Sequence, residues 1–216
     1  MSATLDPNHE RPSLWLVRRF AQLVVRCVFR MRITGLEHIP RSGPVLLAGN
    51  HTGFLDGPLV FIMLPRPSSF IVKSELYDGP FRRVLAWVRQ IPVRRGSPDR
   101  AALRQALDVL AAGGVLGMFP EGTRGEGRLD TIQHGIGYLA LRAGCPVVPV
   151  ACVGTATALP KGRTLPRFRA PITIVFGAPF SVDVDGPPRA RSTVAAAAEQ
   201  VRLHLRQHLD SLDVAA

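Results

Sequence analysis

The run Asn50-His51-Thr52-Gly53-Phe54-Leu55-Asp56 places an imidazole and a carboxylate five positions apart, directly after the apolar residues 44–49. A neutral imidazole takes a proton from a hydroxyl when its other ring nitrogen is held by an acceptor. Asp56 supplies that acceptor if the chain turns between the two, and Gly53 makes such a turn easy. There is no Gly-x-Ser-x-Gly elbow, and Cys27, Cys145 and Cys152 lie outside this run. The attacker is then the substrate's own hydroxyl, activated in place without a covalent intermediate on the protein. The plainer alternative is that Asp56 caps a helix starting near Pro58 while His51 bonds a loop carbonyl.

A second run, Phe119-Pro120-Glu121-Gly122-Thr123-Arg124-Gly125, also follows an apolar segment. Arg124 offers a planar fork of donors suited to a phosphate monoester. Glu121 either fixes that arginine or accepts a hydrogen bond from substrate, and a plain surface ion pair between the two is the competing view. Ile91-Pro92-Val93-Arg94-Arg95-Gly96 ends another strand-like segment with arginines, and Lys73 follows Val72 in the same way. Three such ends delivering cations to one edge build an anion pocket, with Arg94 preferred over a solvated Arg95. His204 and His208 share one face of the last helical segment but lack a third ligand, so they read as solvated and no metal site is expected.

The elements that must position these residues alternate along the chain. Strand-like segments fall at residues 45–48, 70–72, 91–93, 115–118, 147–150 and 172–176, and helix-like ones at 58–63, 80–89, 98–112, 135–143 and 191–212. This alternation predicts a single α/β domain around a largely parallel mixed sheet flanked by helices. In such sheets ligands bind beyond the carboxyl ends of strands, where both the His51 and Glu121 runs fall. Residues 155–171 read as a long polar surface loop. Residues 1–11 read as a disordered leader, 12–31 as an amphipathic helix and 32–216 as the catalytic domain.

In that first helix Arg18, Gln22, Arg26 and Arg30 recur at four-residue intervals within an otherwise apolar surface that includes Trp15 and Phe20. A wide apolar face bordered by arginine fits a helix lying in a membrane interface, against the alternative of a helix packed on the domain with its arginines solvated. No stretch is long and apolar enough to span a bilayer. The 216 residues carry a formal charge of +11, which favours anionic lipid surfaces or phosphorylated substrates. Sparse, scattered aromatics disfavour a nucleic-acid partner. The three cysteines have no zinc-like spacing and read as buried, reduced thiols, and the N-terminal residues lack a signal peptide's pattern.

Taken in order, the blocks closely resemble the glycerolipid acyltransferase family, especially the bacterial 1-acylglycerol-3-phosphate (lysophosphatidate) acyltransferases. Asn50, His51 and Asp56 match its Asn-His-x4-Asp block, and Ile91-Pro92-Val93-Arg94 its second block. Phe119 to Arg124 match the third, Val147-Val148-Pro149-Val150 the fourth, and Lys73-Ser74-Glu75-Leu76 the segment after the second strand. The resemblance implies transfer of a fatty acyl group from acyl-CoA or acyl carrier protein to lysophosphatidate, giving phosphatidate, with no bound cofactor. It implies His51 as general base and Asp56 as its orienting acid. Arg94, Glu121, Gly122, Thr123 and Arg124, with Lys73, form the acceptor's phosphate site, while the oxyanion donors stay unassigned. It places the protein peripherally on the cytoplasmic face of the membrane. Glycerol-3-phosphate and a lyso-ornithine lipid are alternative acceptors. A catalytically silent membrane-binding protein is the alternative of another class, disfavoured by intact His51, Asp56, Glu121 and Arg124.

Overall fold

The computed structural model describes residues 11–94, 96, 99–122, 129 and 132–213. Its strands are β1 (Arg30–Thr34), β2 (Val45–Gly49), β3 (Ser68–Lys73), β4 (Ile91–Val93), β5 (Val115–Met118), β6 (Val147–Val153) and β7 (Pro171–Phe176). Its helices are α1 (Pro12–Val28), α2 (Asp56–Met63), α3 (Arg82–Trp87), α4 (Arg100–Ala111), α5 (Gly135–Ala143), α6 (Thr155–Ala158) and α7 (Arg191–Asp213). The strands form one sheet in the order β1-β7-β6-β2-β5-β3-β4. Every pairing is parallel except β6 with β7. The single α/β domain with a mixed, mostly parallel sheet is the expected one.

β2 sits at the centre and is buried throughout, which explains its unbroken apolar sequence. Its side chains alternate between two cores. Val45 and Leu47 join Leu59, Val60, Val148, Val150 and Ile172 on the face covered by α1 and α2. Leu46 and Ala48 join Ala102, Ala106, Leu110, Ile136, Leu139 and Val201 on the face covered by α4, α5 and α7. Asp99 caps α4 by accepting from the amides of Ala101 (3.1 Å) and Ala102 (3.0 Å), and Gly113, at φ 78°, ends it as expected.

The chain's beginning differs from the sequence expectation in two ways. The helix stops at Val28, and Arg30–Thr34 is an edge strand pairing with β7, so Arg30 and Met31 are not helical. Met31 and Ile33 turn inward between exposed Arg30, Arg32 and Thr34, a period of two that the preceding helical pattern obscures. Buried Phe29, already extended, is the pivot between the two elements. Arg18 is also not solvated. It is buried and donates to the carbonyl of Arg66 (2.9 Å), while Gln22 donates to that of Ile62 (2.7 Å). The polar stripe of α1 thus satisfies the Ile62 carbonyl, one of those a helix end leaves unpaired, and the Arg66 carbonyl beyond the end of α2. Its apolar side faces outward, with Leu16, Leu23 and Phe20 exposed, the last at 68%.

Smaller corrections concern the histidines and thiols. His204 stacks on Phe180 and His208 bonds the Val175 carbonyl (3.1 Å), so both are packed rather than solvated. Burial holds His208 below the usual histidine range. Cys145 and Cys152 are buried as expected, whereas Cys27 is exposed on α1.

Candidate active site

Because β2 to β6 all run one way, the segments that follow them emerge at a single edge of the sheet. Asn50 fixes the exit from β2. Its buried carboxamide donates to the Cys152 carbonyl (3.1 Å) and accepts from the Cys152 amide (2.7 Å), extending the β2–β6 pairing with a side chain. His51 comes next, with its side chain 14% exposed. The chain then turns through Gly53 into α2, whose first residue is Asp56.

The Asp56 carboxylate is fully buried and surrounded by donors. Its Oδ2 accepts from His51 Nδ1 at 2.9 Å and from the amides of Thr52 and Gly53, both at 2.8 Å. Its Oδ1 accepts from the hydroxyl of Thr155, which is itself 3.0 Å from the Thr52 hydroxyl. The carboxylate therefore organises the loop before the helix as well as the imidazole, which goes beyond the capping alternative. An acceptor-only partner assigns the ring proton to Nδ1 and leaves the lone pair of Nε2 available. Gly53 is required where it stands, since a Cβ there would lie 2.9 Å from the Ala156 amide and the Thr155 hydroxyl.

The loop after β5 closes the other side. Phe119 lies flat against the imidazole, with ring centroids 4.7 Å apart and an interplanar angle of 22°. Gly49 makes room, because a Cβ there would sit 2.8 Å from the Phe119 ring. Glu121 Oε1 accepts from the backbone amide of His51 (2.9 Å), so this carboxylate clamps the loop that carries His51. Gly122 turns the chain at φ 71° and donates to the Phe119 carbonyl (3.1 Å). Thr123 and Arg124 lie outside the described residues.

Lys73 ends β3 in register with Val93, and Arg94 follows β4, so both cations stand at the same edge as His51. They are not beside it. β4 is three strand spacings from β2, about 14 Å. Arg94 is exposed, and its backbone amide donates to Asp99 (3.0 Å), whose carboxyl is held below the usual range by the amides of Arg94 and Ala102.

Thr155 is the site residue that sequence reasoning missed. The stretch read as a surface loop begins with α6, and Thr155 at its start is buried against Asp56. Neighbouring Cys152 is no rival nucleophile. Desolvation, with Asp56's charge behind it, pushes its thiol well above the ordinary range, and burial pushes Cys145 to about 11.

The geometry is an imidazole held by a buried carboxylate at the edge of an α/β sheet, and comparison with known proteins gives it a family. Residues 30–153, more than half of the chain, match the acyltransferase family. The chain belongs to that family. The chloroplastic 1-acyl-sn-glycerol-3-phosphate acyltransferase of Arabidopsis thaliana is 28% identical over 165 residues, which cover 73% of this chain and 45% of that protein. The 1-acyl-sn-glycerol-3-phosphate acyltransferase of Borreliella burgdorferi is 35% identical over 129 residues, 57% of this chain and 51% of that one. The chain spans about half the length of the curated relatives it matches. The crystal structure of the 1-acyl-sn-glycerophosphate acyltransferase of Thermotoga maritima shares the fold. Its TM-score is 0.74 at 24% identity, over 92% of this chain and 79% of that one.

Proposed function

We propose that the protein transfers a fatty acyl group from a thioester, on coenzyme A or acyl carrier protein, to the free hydroxyl of lysophosphatidate. The observation that carries this reading is the His51–Asp56 pair at 2.9 Å, which leaves Nε2 of the imidazole without a hydrogen-bond partner among the described residues. The acceptor hydroxyl gives its proton to Nε2 as its oxygen attacks the thioester carbonyl carbon. Asp56 stabilises the imidazolium so formed. The tetrahedral intermediate collapses with cleavage of the carbon–sulfur bond, and the departing thiolate recovers the proton from Nε2. The products are an ester, phosphatidate, and a free thiol. The amides of His51, Thr52, Gly53 and Gly122 are already engaged, so the oxyanion draws on other donors.

The acceptor is a membrane lipid, and the outward apolar side of α1 is the surface that meets it. Among the described residues no helix is long and apolar enough to cross a membrane. Peripheral attachment at the cytoplasmic face, where thioester donors are found, fits both points. The phosphate is assigned to Lys73 and Arg94 at this edge of the sheet and to Glu121 and Gly122 after β5, with Thr123 and Arg124, outside the described residues, added on the sequence alone.

The headgroup assignment is tested by comparing lysophosphatidate with monoacylglycerol, which lacks the phosphate, and with glycerol-3-phosphate, which lacks the acyl chain. A charge-assisted hydrogen bond contributes about 1.5–3 kcal/mol. Arg124→Ala and Arg94→Ala should therefore each cut kcat/KM for lysophosphatidate about tenfold or more, leaving the slow monoacylglycerol reaction unchanged. Equal use of monoacylglycerol and lysophosphatidate by the unmodified protein would remove the phosphate site.

A further inference from the structure

The connection from β6 to β7 carries the most exposed large apolar side chains in the described structure, Leu165 at 75% and Phe168 at 76%. They are interleaved with Lys161, Arg163, Arg167 and Arg169, all exposed, and the sequence holds no Asp or Glu between Asp130 and Asp183. This projection is tied down by its backbone. The Arg167 amide donates to the Ala158 carbonyl (2.8 Å) and that of Arg169 to the Val28 carbonyl (2.6 Å). The second bond, with the Arg30 amide donating to Ala170 (3.0 Å), sets it directly against the C-terminal end of α1.

Topology then fixes which way the projection faces. β6 and β7 are antiparallel, so their connection lies at the edge where β6 ends, the edge of His51. Near its start the connection carries Thr155, the first residue of α6, which bonds Asp56. One surface therefore runs from the catalytic loop, through the basic and apolar projection, to the outward apolar side of α1. Along α1 the same surface carries exposed Arg19 and Arg26, with no acid between Glu10 and Glu37. Alternating cations and exposed apolar tips, continuous with a helix-long apolar side, match a bilayer of anionic lipid: side chains enter the headgroup layer while arginines pair with phosphates.

We infer that residues 161–169 are a second membrane-inserting element, in which Leu165 and Phe168 enter an anionic bilayer and orient the catalytic edge toward it. This deepens the membrane-bound acceptor of the proposed function, and the experiment separates the two. In a Cys27→Ser background, Phe168→Cys or Ser42→Cys is labelled with an environment-sensitive fluorophore. Ser42 is exposed in the loop before β2, at the opposite edge of the sheet. Mixed phosphatidylcholine–phosphatidylglycerol vesicles are then added. The fluorophore at position 168 should shift to the blue and that at 42 should not. Leu165→Ser/Phe168→Ser should partition onto these vesicles at least about tenfold less than the parent. The same variant should acylate a short-chain, monomeric lysophosphatidate from a short-chain acyl-CoA at the parent rate.

An unshifted fluorophore at position 168 on vesicle-bound protein would overturn the inference while leaving membrane binding through α1 intact. So would failure to bind vesicles at all, with the chemistry on monomeric substrates still standing. Unchanged partitioning with selective loss of acyl-carrier-protein use would assign the projection to the donor protein instead. Loss of monomeric-substrate turnover in the serine variant would also contradict it.

Discussion

Replacing His51 with alanine is expected to lower acyl transfer by about a thousandfold, the middle of the range for a lost general acid–base group. The loss should appear in kcat rather than KM, because the imidazole acts on the hydroxyl proton as the carbon–oxygen bond forms. Folding should survive. His51 is partly exposed, and its substitution removes one ring stack on Phe119, worth about 0.5–1.5 kcal/mol. The backbone clamp from Glu121 is unaffected, since it grips the residue-51 amide. Steady-state kinetics beside a thermal melt check all three points. Transfer within tenfold of the parent would remove His51 as the base.

Asp56→Asn isolates the charge from the geometry. Oδ2 receives three donors, so the carboxamide oxygen occupies that position and still accepts from the imidazole and both loop amides. Its NH2 then faces Thr155, whose hydroxyl can reverse and donate to Thr52. The Nδ1–H tautomer is kept while the negative charge beside the forming imidazolium is lost. A fall in kcat of about a hundredfold with little change in stability is expected. Asp56→Ala should behave differently. It orphans the Thr52 and Gly53 amides and the Thr155 hydroxyl, at roughly 1–3 kcal/mol for each buried group left unpaired, so it should lose stability together with activity. Equal melting temperatures for the two variants would contradict the buried donor shell.

Much of the fold was legible because its signals are local. The central strands are short apolar runs bounded by turn residues, and α4 begins at Asp99 and ends at Gly113 by ordinary capping chemistry. The His51–Asp56 pair was legible for the same reason: both partners lie within one turn of chain. What escaped depends on distant partners. Thr155 reaches Asp56 across 99 positions of sequence, and no neighbouring residue marks a threonine as buried. Glu121 is 70 positions from the His51 amide it accepts, so its role as a clamp is invisible to spacing. The stripe of Arg18 and Gln22 was visible on α1, but a helical pattern does not say which side the domain takes. Here it takes the polar one, because the carbonyls of Ile62 and Arg66 need donors. β1 was missed because its first two residues, Arg30 and Met31, continue the helical pattern, and the remaining three are too few to show a period of two.

The most direct test is thiol release from palmitoyl-coenzyme A by purified protein on vesicles, with the lipid product resolved. Three conditions are compared: lysophosphatidate, glycerol-3-phosphate and no acceptor, each beside His51→Ala. The account predicts release that requires both lysophosphatidate and His51, with one phosphatidate formed per thiol. Thiol release at the same rate without acceptor, or undiminished in His51→Ala, would contradict direct attack by an acceptor hydroxyl activated at His51.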